Sequence, residues 1–377
     1  MPRRSPLPHK RNSAKLVANK RRAHLMLLFA KTFFISSLIF TTVVLGGAYF
    51  ARNYIIVPPP VPPVTQDIVS DEPNESPAFV ILEPYEDDIE IGNGLTAPSG
   101  FTDEDRKELF FTFLIMGLDE GINVDTIMVA SYCGVTNTAN IISIPRDIPV
   151  NVSRRHRKIN IAYPAGVIHG GSSEAGVNQL KREIRSIIGF APDFYVKINL
   201  DAFERIVDTV GGVYIDVPFH MRYDDPFQDL HIDIPAGPQR LNGEQALNFA
   251  RFRLSNAGFR SVTDFERVQH QQAVIQGVLQ QLLTPASILR IPEFVSIFQD
   301  NVSTNISAQD MLWFASQLTQ VSGLDALSTH TLPTSHGSGP PNWYEFVDVF
   351  TTLQLVNSTV NPFTIPITPN DVNVVLR

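Results

Sequence analysis

The chain has 377 residues, 44% of them hydrophobic and 18% charged, with a formal net charge of −8. It is long and apolar enough to bury a substantial core, which excludes global disorder, and the acidic balance of its body argues against a nucleic-acid partner. One cysteine, Cys133, excludes an internal disulfide framework; it sits in an apolar, strand-like run and reads as a small buried hydrophobe.

The charge is unevenly divided. Residues 1–24 carry Arg3, Arg4, Lys10, Arg11, Lys15, Lys20, Arg21 and Arg22 without a single acid, so the rest is more acidic than the total suggests. Leu25–Ala30, Lys31 and the apolar run Thr32–Phe50 follow. At a rise of ~1.5 Å per residue, that run spans roughly 28 Å, one hydrocarbon thickness. Residues 25–50 therefore read as a transmembrane helix, with Lys31 able to snorkel toward the headgroups. The positive-inside rule puts the tail in the cytoplasm and everything after Arg52 outside. A cleavable signal peptide is the competing reading; the length of the run and the lack of a convincing small-x-small site favour an uncleaved signal-anchor. Residues 51–106, with Pro58–Pro63 and many acids, read as a semi-rigid stalk.

Beyond the stalk, Leu109–Met116 predicts a buried strand ending at Gly117. Thr126–Cys133 and Asn140–Ile144 flank a turn and predict a hairpin. Glu174–Ile188 has apolar residues at helical spacing and stops at Gly189. Phe194–Ile198 predicts a strand, Ala202–Val210 a helix, Val213–Val217 a strand after Gly211-Gly212, and Gln245–Phe249 a helix. Thr263 and Glu266 form a capping-box pattern opening a helix to about Leu283. Further helices are expected near Ser307–Leu318 and Tyr344–Val356, and there is no internal repeat. Alternating strands and helices predict an α/β (α+β) fold, a mixed central sheet with helices on both faces. The expected division is a domain over 107–285 and a C-terminal extension over 286–377.

Against the acidic background, Arg251, Arg253, Arg260, Arg267 and His270 crowd together. Guanidinium groups bind phosphate bidentately and stay charged, so such a cluster suits a phosphate or pyrophosphate; the bland reading is a solvated basic face. If Ala250–Leu254 is extended, Arg251 and Arg253 share a face and Phe252 points inward; on a helix they diverge. Arg267, His270 and Gln271 stand at i, i+3 and i+4 of a helix whose N-terminus already favours anions. Upstream, Asp119 and Asp125 bracket one short loop. They are either a pair of oxygen ligands for a hard cation or two turn-forming aspartates. Arg146 follows Pro145 off a strand end, with a salt bridge to Asp147 as its alternative role. Lys158 stands among Arg154, Arg155 and Arg157, for which solvated surface is the default. No P-loop, dinucleotide fingerprint, HExxH or GxSxG pattern supports nucleotide, zinc-protease or serine-esterase chemistry.

In order, Gly117-Leu-Asp119, Val124-Asp125-Thr, Ser143-Ile-Pro-Arg146-Asp147, Lys158-Ile-Asn160, Val210-Gly-Gly-Val213, Leu241–Leu247 with Arg251 and Arg253, and Asp264-Phe-Glu-Arg267 with Gln271 resemble the LytR-CpsA-Psr family of bacterial envelope proteins. The resemblance covers about residues 110–283, and the anchor and stalk fit it too. It implies a single-pass protein of the bacterial cell membrane that transfers glycopolymers from a polyprenyl-pyrophosphate lipid to peptidoglycan and releases polyprenyl phosphate. It further implies Mg²⁺ on Asp119 and Asp125, and a pyrophosphate held by Arg146, Lys158, Arg251, Arg253, Arg267 and Gln271. The reaction would centre on Arg146, Arg251, Arg253 and Asp147, with Asp147 or a metal-bound carboxylate as the proton acceptor. The chain departs from the family at Asn123 and His270, where arginine is usual; His270 would make binding pH-sensitive. The lipid tail is expected in an apolar groove near helix Glu174–Ile188. Non-catalytic lipid or polymer binding, and hydrolysis of the lipid pyrophosphate, are the alternative functions.

Overall fold

A computed structural model describes residues 58–62, 101–119, 121–225, 230–253, 261–282, 284, 298, 301–318, 326–337 and 343–375. The expected anchor, most of the stalk and Arg260 lie outside these residues. Among the described residues, no helix is long and apolar enough to cross a membrane.

The predicted strand and hairpin form a meander: β1 (Phe110–Leu118), β2 (Val124–Cys133) and β3 (Thr138–Ser143) run antiparallel, with Phe113 opposite Ala130 and Ala130 opposite Ile141. The chain then builds α1 (Ala162–Gly170) and α2 (Ser173–Ile188) before β4 (Phe194–Ile198) pairs parallel to β1. After α3 (Leu200–Thr209) come β5 (Val213–Val217), β6 (Met221–Asp225), β7 (Leu230–Ile234) and β8 (Gly237–Leu241). β5 pairs with β8 and β6 with β7. Helices α4 (Gly243–Arg251) and α5 (Asp264–Leu282) follow, then β9 (Ser303–Thr304) and α6 (Ala308–Leu318). The chain ends with β10 (Leu327–Thr331), β11 (Thr334–His336), β12 (Glu345–Val347) and α7 (Val349–Thr359).

Among the described residues, the central sheet is mixed, in the order β10-β3-β2-β1-β4-β9. The stretch expected as an extension thus supplies an edge strand, and Leu353, Val356 and Phe363 sit in the same core as Leu114 and Ile142. The helix expected over Tyr344–Val356 starts later. Glu345–Val347 pairs with β11, and Asp348 caps α7 by accepting from Thr351 N at 2.9 Å.

Strand alternation divides the molecule into two layers around the sheet. Leu114, Met116, Val129 and Ile142 point to one face, where α2 buries Val177, Leu180, Ile184, Ile187 and Ile188. Ser172 caps α2 and Gly189 ends it at φ 85°, a backbone region that suits glycine. Phe113, Ile115, Met128, Ala130 and Ile141 point to the other face, toward α3, α4, α5 and α6. Cys133 is half-buried at the end of β2.

Two buried ion pairs brace the α2 layer. Arg154 is not the solvated cation its basic neighbours suggest: it pairs with Glu183, which is 3% exposed, and donates to Lys158 O at 3.1 Å. Arg106 Nη2 donates to Asp193 Oδ1 at 2.7 Å, and Asp193 Oδ2 accepts from Thr112 N and Oγ1 at 2.9 and 2.8 Å.

Lys181 Nζ donates to the Asp193 carbonyl at 3.0 Å, and burial pulls its pKa from 10.5 down to about 8. Between these two values the unfolded chain binds the extra proton. Stability therefore rises as pH climbs from about 8 toward 10.5, by at most ~1.4 kcal/mol per pH unit, while below about 8 the burial penalty is felt in full. Urea unfolding at pH 7.5 and pH 10 should show this gain in the wild type and a flatter response in Lys181→Met; parallel responses would exclude Lys181 as its source.

Candidate functional site

A cavity of 1260 Å³ lies between the sheet and the helices α3, α4, α5 and α6. Its wall is largely apolar: Phe113, Ile115 and Met128 from the sheet, Phe203 from α3, Ile232 from β7 and Val274 from α5. It lies on the sheet face opposite α2. This corrects the expectation of an apolar groove near Glu174–Ile188. That helix is amphipathic, and its apolar stripe is already consumed against Leu114, Met116 and Val129; the open apolar surface belongs to the alternate residues of the same strands.

Ionised side chains from separate parts of the chain meet on this cavity. Asp119, Asp125, Arg146, Arg251, Arg253 and Arg267 all line it, as do Asn123, Asn160 and Gln271. Four guanidinium groups against two carboxylates leave the polar wall positive, the sign an anionic head group requires.

Asp125 is the second residue of β2, and Arg146 follows Pro145 just past the end of β3. Because β2 and β3 are paired, the two side chains meet: Arg146 Nη1 donates to Asp125 Oδ1 at 2.6 Å. Arg146 Nε also lies 3.7 Å from Asp147 Oδ2, and Lys158 Nζ donates to Asp147 Oδ1 at 2.7 Å. The result is an alternating chain, Asp125–Arg146–Asp147–Lys158. Its first two members line the cavity; Asp147 and Lys158 stand behind Arg146.

Asp119 adopts the turn-forming arrangement. Its Oδ1 accepts from Gly121 N at 2.8 Å and Asn123 N at 3.1 Å, and its Oδ2 from Asn123 Nδ2 at 2.9 Å. Asn123 therefore closes the loop that presents the carboxylate. Among the described residues, no three His, Cys, Asp or Glu side chains converge as a closed metal cage. Two carboxylates on one cavity wall suit a hard cation that takes its remaining oxygens from phosphate and water.

Arg251 and Arg253 reach the cavity by a route intermediate between the two considered. Asn242 caps α4 with a full capping box, the helix ends at Arg251, and Phe252 turns extended with φ −57° and ψ 129°. Phe252 is 1% exposed in the core beneath, so the break lets both arginines face the cavity while the ring anchors the bend. At the start of α5 the predicted capping box forms, Glu266 N donating to Thr263 Oγ1 at 3.2 Å and Thr263 N to Glu266 Oε2 at 2.9 Å. Arg267 and Gln271, one turn apart, face the cavity. His270 is turned aside, 7% exposed, with its ring 4.5 Å from that of Phe249.

Asn160, part of the Lys158-Ile-Asn160 motif but given no role, and the β6–β7 hairpin, which contributes Tyr223, Leu230 and Ile232, belong to the wall but were not expected as site residues. The alternation in Leu230–Ile234 was a readable strand signal. Asn160 had only its place two residues after Lys158.

The LytR_cpsA_psr family model matches residues 90–359. The chain belongs to that family. Among characterised members, it is 28% identical over 207 residues to the polyisoprenyl-teichoic acid–peptidoglycan teichoic acid transferase TagU of Bacillus subtilis, covering 53% of this chain and 61% of that protein. It is 27% identical over 271 residues to TagV of the same organism, a transferase of the same name, covering 68% and 65%. It is also 28% identical over 202 residues to the Staphylococcus aureus regulatory protein MsrR. The match thus spans about three fifths of TagU's length. The crystal structure of B. subtilis TagV superposes with a TM-score of 0.54 at 26% identity, over 66% of this chain and 95% of that one. A structure of TagT bound to LIIa-WTA gives the same TM-score at 18% identity, which speaks for the LytR_cpsA_psr fold alone.

Proposed function

We propose that this chain is a membrane-anchored phosphotransferase that moves a glycopolymer from a polyprenyl-pyrophosphate carrier to peptidoglycan and releases polyprenyl phosphate, its N-terminus cytoplasmic and its folded body outside. One observation carries the reading: Arg146, Arg251, Arg253 and Arg267, with Asp119 and Asp125, converge on a large apolar cavity. A lipid pyrophosphate has these two halves, a doubly charged head and a long apolar tail. The transferase names of TagU and TagV support the same reaction class.

In the reaction, a hydroxyl oxygen of the acceptor sugar attacks the phosphorus nearest the glycan. The new P–O bond forms as the bond to the bridging oxygen breaks, and that oxygen leaves on the lipid phosphate. Positioning and charge neutralisation dominate such transfers. Arg146, Arg251 and Arg253 neutralise the phosphoryl oxygens, while Arg267 and Gln271 hold the head group from α5. Mg²⁺ on Asp119 and Asp125 would supply additional positive charge at the pyrophosphate. The hydroxyl proton goes to a carboxylate, either Asp147 behind Arg146 or one of Asp119 and Asp125 on the cavity wall. The apolar wall keeps the lipid out of water.

The test is transfer of a labelled polyprenyl-pyrophosphoryl glycan to peptidoglycan oligomers by the purified chain with Mg²⁺. Lipid that stays bound without product would favour a non-catalytic carrier, and polyprenyl phosphate released without glycan attachment would favour hydrolysis. A further expectation concerns the tail. Ala130→Phe adds a ring to the cavity floor, so it should weaken binding of a fluorescent polyprenyl phosphate at least about tenfold, as lost apolar burial implies. Its thermal stability should change little; unchanged lipid affinity would place the tail elsewhere.

A further inference from the structure

Next to the charged rim, the β11–β12 hairpin presents an indole to solvent. Trp343 is 53% exposed, whereas the chain's other tryptophan, Trp313, is 4% exposed and packed edge-on against Phe111. The exposed ring is nevertheless held. It stacks on the His336 imidazole with centroids 5.8 Å apart and 25° between planes. His336 Nδ1 lies 2.7 Å from Glu345 Oε1, and Glu345 Oε2 accepts from Thr334 Oγ1 at 2.9 Å. Beneath them Tyr344 and Phe346 are each 7% exposed.

This hairpin is bonded directly to the rim. Glu345 N donates to the Asp147 carbonyl at 3.1 Å. Lys158, which holds the Asp147 carboxylate, has its ammonium 5.9 Å from the Tyr344 ring centroid. The backbone of the hairpin is therefore bonded to the backbone of Asp147, and none of its residues lines the apolar cavity.

What the hairpin offers is a flat apolar plate, oriented by a stack and edged by a carboxylate and an imidazole. A ligand matching it needs one apolar C–H face and a rim of hydroxyls able to donate and accept. A pyranose ring has that construction.

We propose that Trp343, His336 and Glu345 form a subsite for a pyranose ring on the hairpin whose backbone is bonded to that of Asp147. The assignment rests on the transfer reading above and names where its sugar is held. Donor and acceptor glycan share the pyranose chemistry, so the experiment has an arm for each.

The probe is chitotetraose, titrated into the full chain in detergent micelles, with calorimetry and tryptophan emission as readouts. Saturable heat and a blue shift of the exposed indole are expected. Trp343→Ala should weaken binding at least about tenfold, and Trp343→Phe should retain part of it. Lack of saturable binding, or equal affinity in Trp343→Ala, overturns the proposal. Unchanged affinity with geranylgeranyl pyrophosphate in the cavity, and with its N-acetylglucosamine conjugate, assigns the subsite to acceptor; displacement by the conjugate alone assigns it to donor. Trp343-dependent binding in a chain that catalyses no transfer sinks the transfer reading and leaves the subsite standing.

Discussion

Arg253→Ala should lower the rate of glycan transfer by about 10²–10³-fold, the usual cost of removing one preorganised donor from a developing phosphoryl charge, equivalent to about 2.7–4 kcal/mol. The residue is exposed, and its backbone carbonyl accepts from Val262 N at 2.7 Å, a bond that alanine keeps. Loss of rate should therefore come without loss of fold, and unfolding curves should overlay those of the wild type. Lysine at 253 should recover only part of the rate, because an ammonium restores charge without the two-pronged geometry of the fork. Arg146→Ala is a less clean probe, since it also strips the partner from Asp125 and breaks the alternating chain back to Lys158. Full transfer by Arg253→Ala would remove this arginine from the site.

Asp193→Ala should have the largest effect on stability, about 3–5 kcal/mol, the cost of removing one member of a buried ion pair and leaving the other uncompensated. The carboxylate is 5% exposed and satisfies Arg106, Thr112 N and Thr112 Oγ1 together, so its loss strands three donors between β1 and the turn into β4. Thermal unfolding of the folded body should shift down by about 10 °C. Asp193→Asn should cost less, because one oxygen remains to accept from Thr112. The site lies on the far side of the sheet, so residual transfer at low temperature should persist. A thermal midpoint unmoved in Asp193→Ala would show that this network is not holding the sheet.

Local pattern reveals some parts of this molecule and hides others. β1, the β2–β3 hairpin and α2 could be read from their apolar periods alone, and the capping box at Thr263 marked the start of α5 to the residue. α1 could not. Its run Ala162–Gly170 contains Pro164, Gly166 and Gly170, which read as breakers. In the fold those glycines serve contact: a Cβ on Gly166 would lie 2.6 Å from the Ala175 carbonyl, so only a bare backbone lets α1 approach α2. The β6–β7 hairpin was passed over because Met221–Asp225 is rich in charge. Its outward residues are solvated, and only the inward Met221 and Tyr223 carry the packing signal.

At the site, residue type and order pointed to Arg146, Arg251, Arg253, Arg267 and Gln271, and all five line one cavity. The same reasoning grouped His270 with its neighbours. Helical geometry separates it: at i+3 from Arg267 the ring falls on the side facing α4, where Phe249 receives it. Arg154 was taken for surface because its neighbours in sequence are basic. Its partner Glu183 lies on α2, 29 residues away, which no count of local charge can reveal.

What the chain determines by itself is the identity and spacing of its chemical groups: the arginines, the two aspartates, the caps and the apolar periods, all short-range properties of consecutive residues. Only the tertiary structure decides which face of the sheet is left hollow. Both faces of β1 and β2 are apolar, and it is the packing of α2 against Leu114, Met116 and Val129 that fills one and leaves Phe113, Ile115 and Met128 lining the other. A helix's apolar stripe can be satisfied by one sheet face only, so where the cavity opens follows from which face α2 covers, a relation between distant segments that no window along the sequence contains.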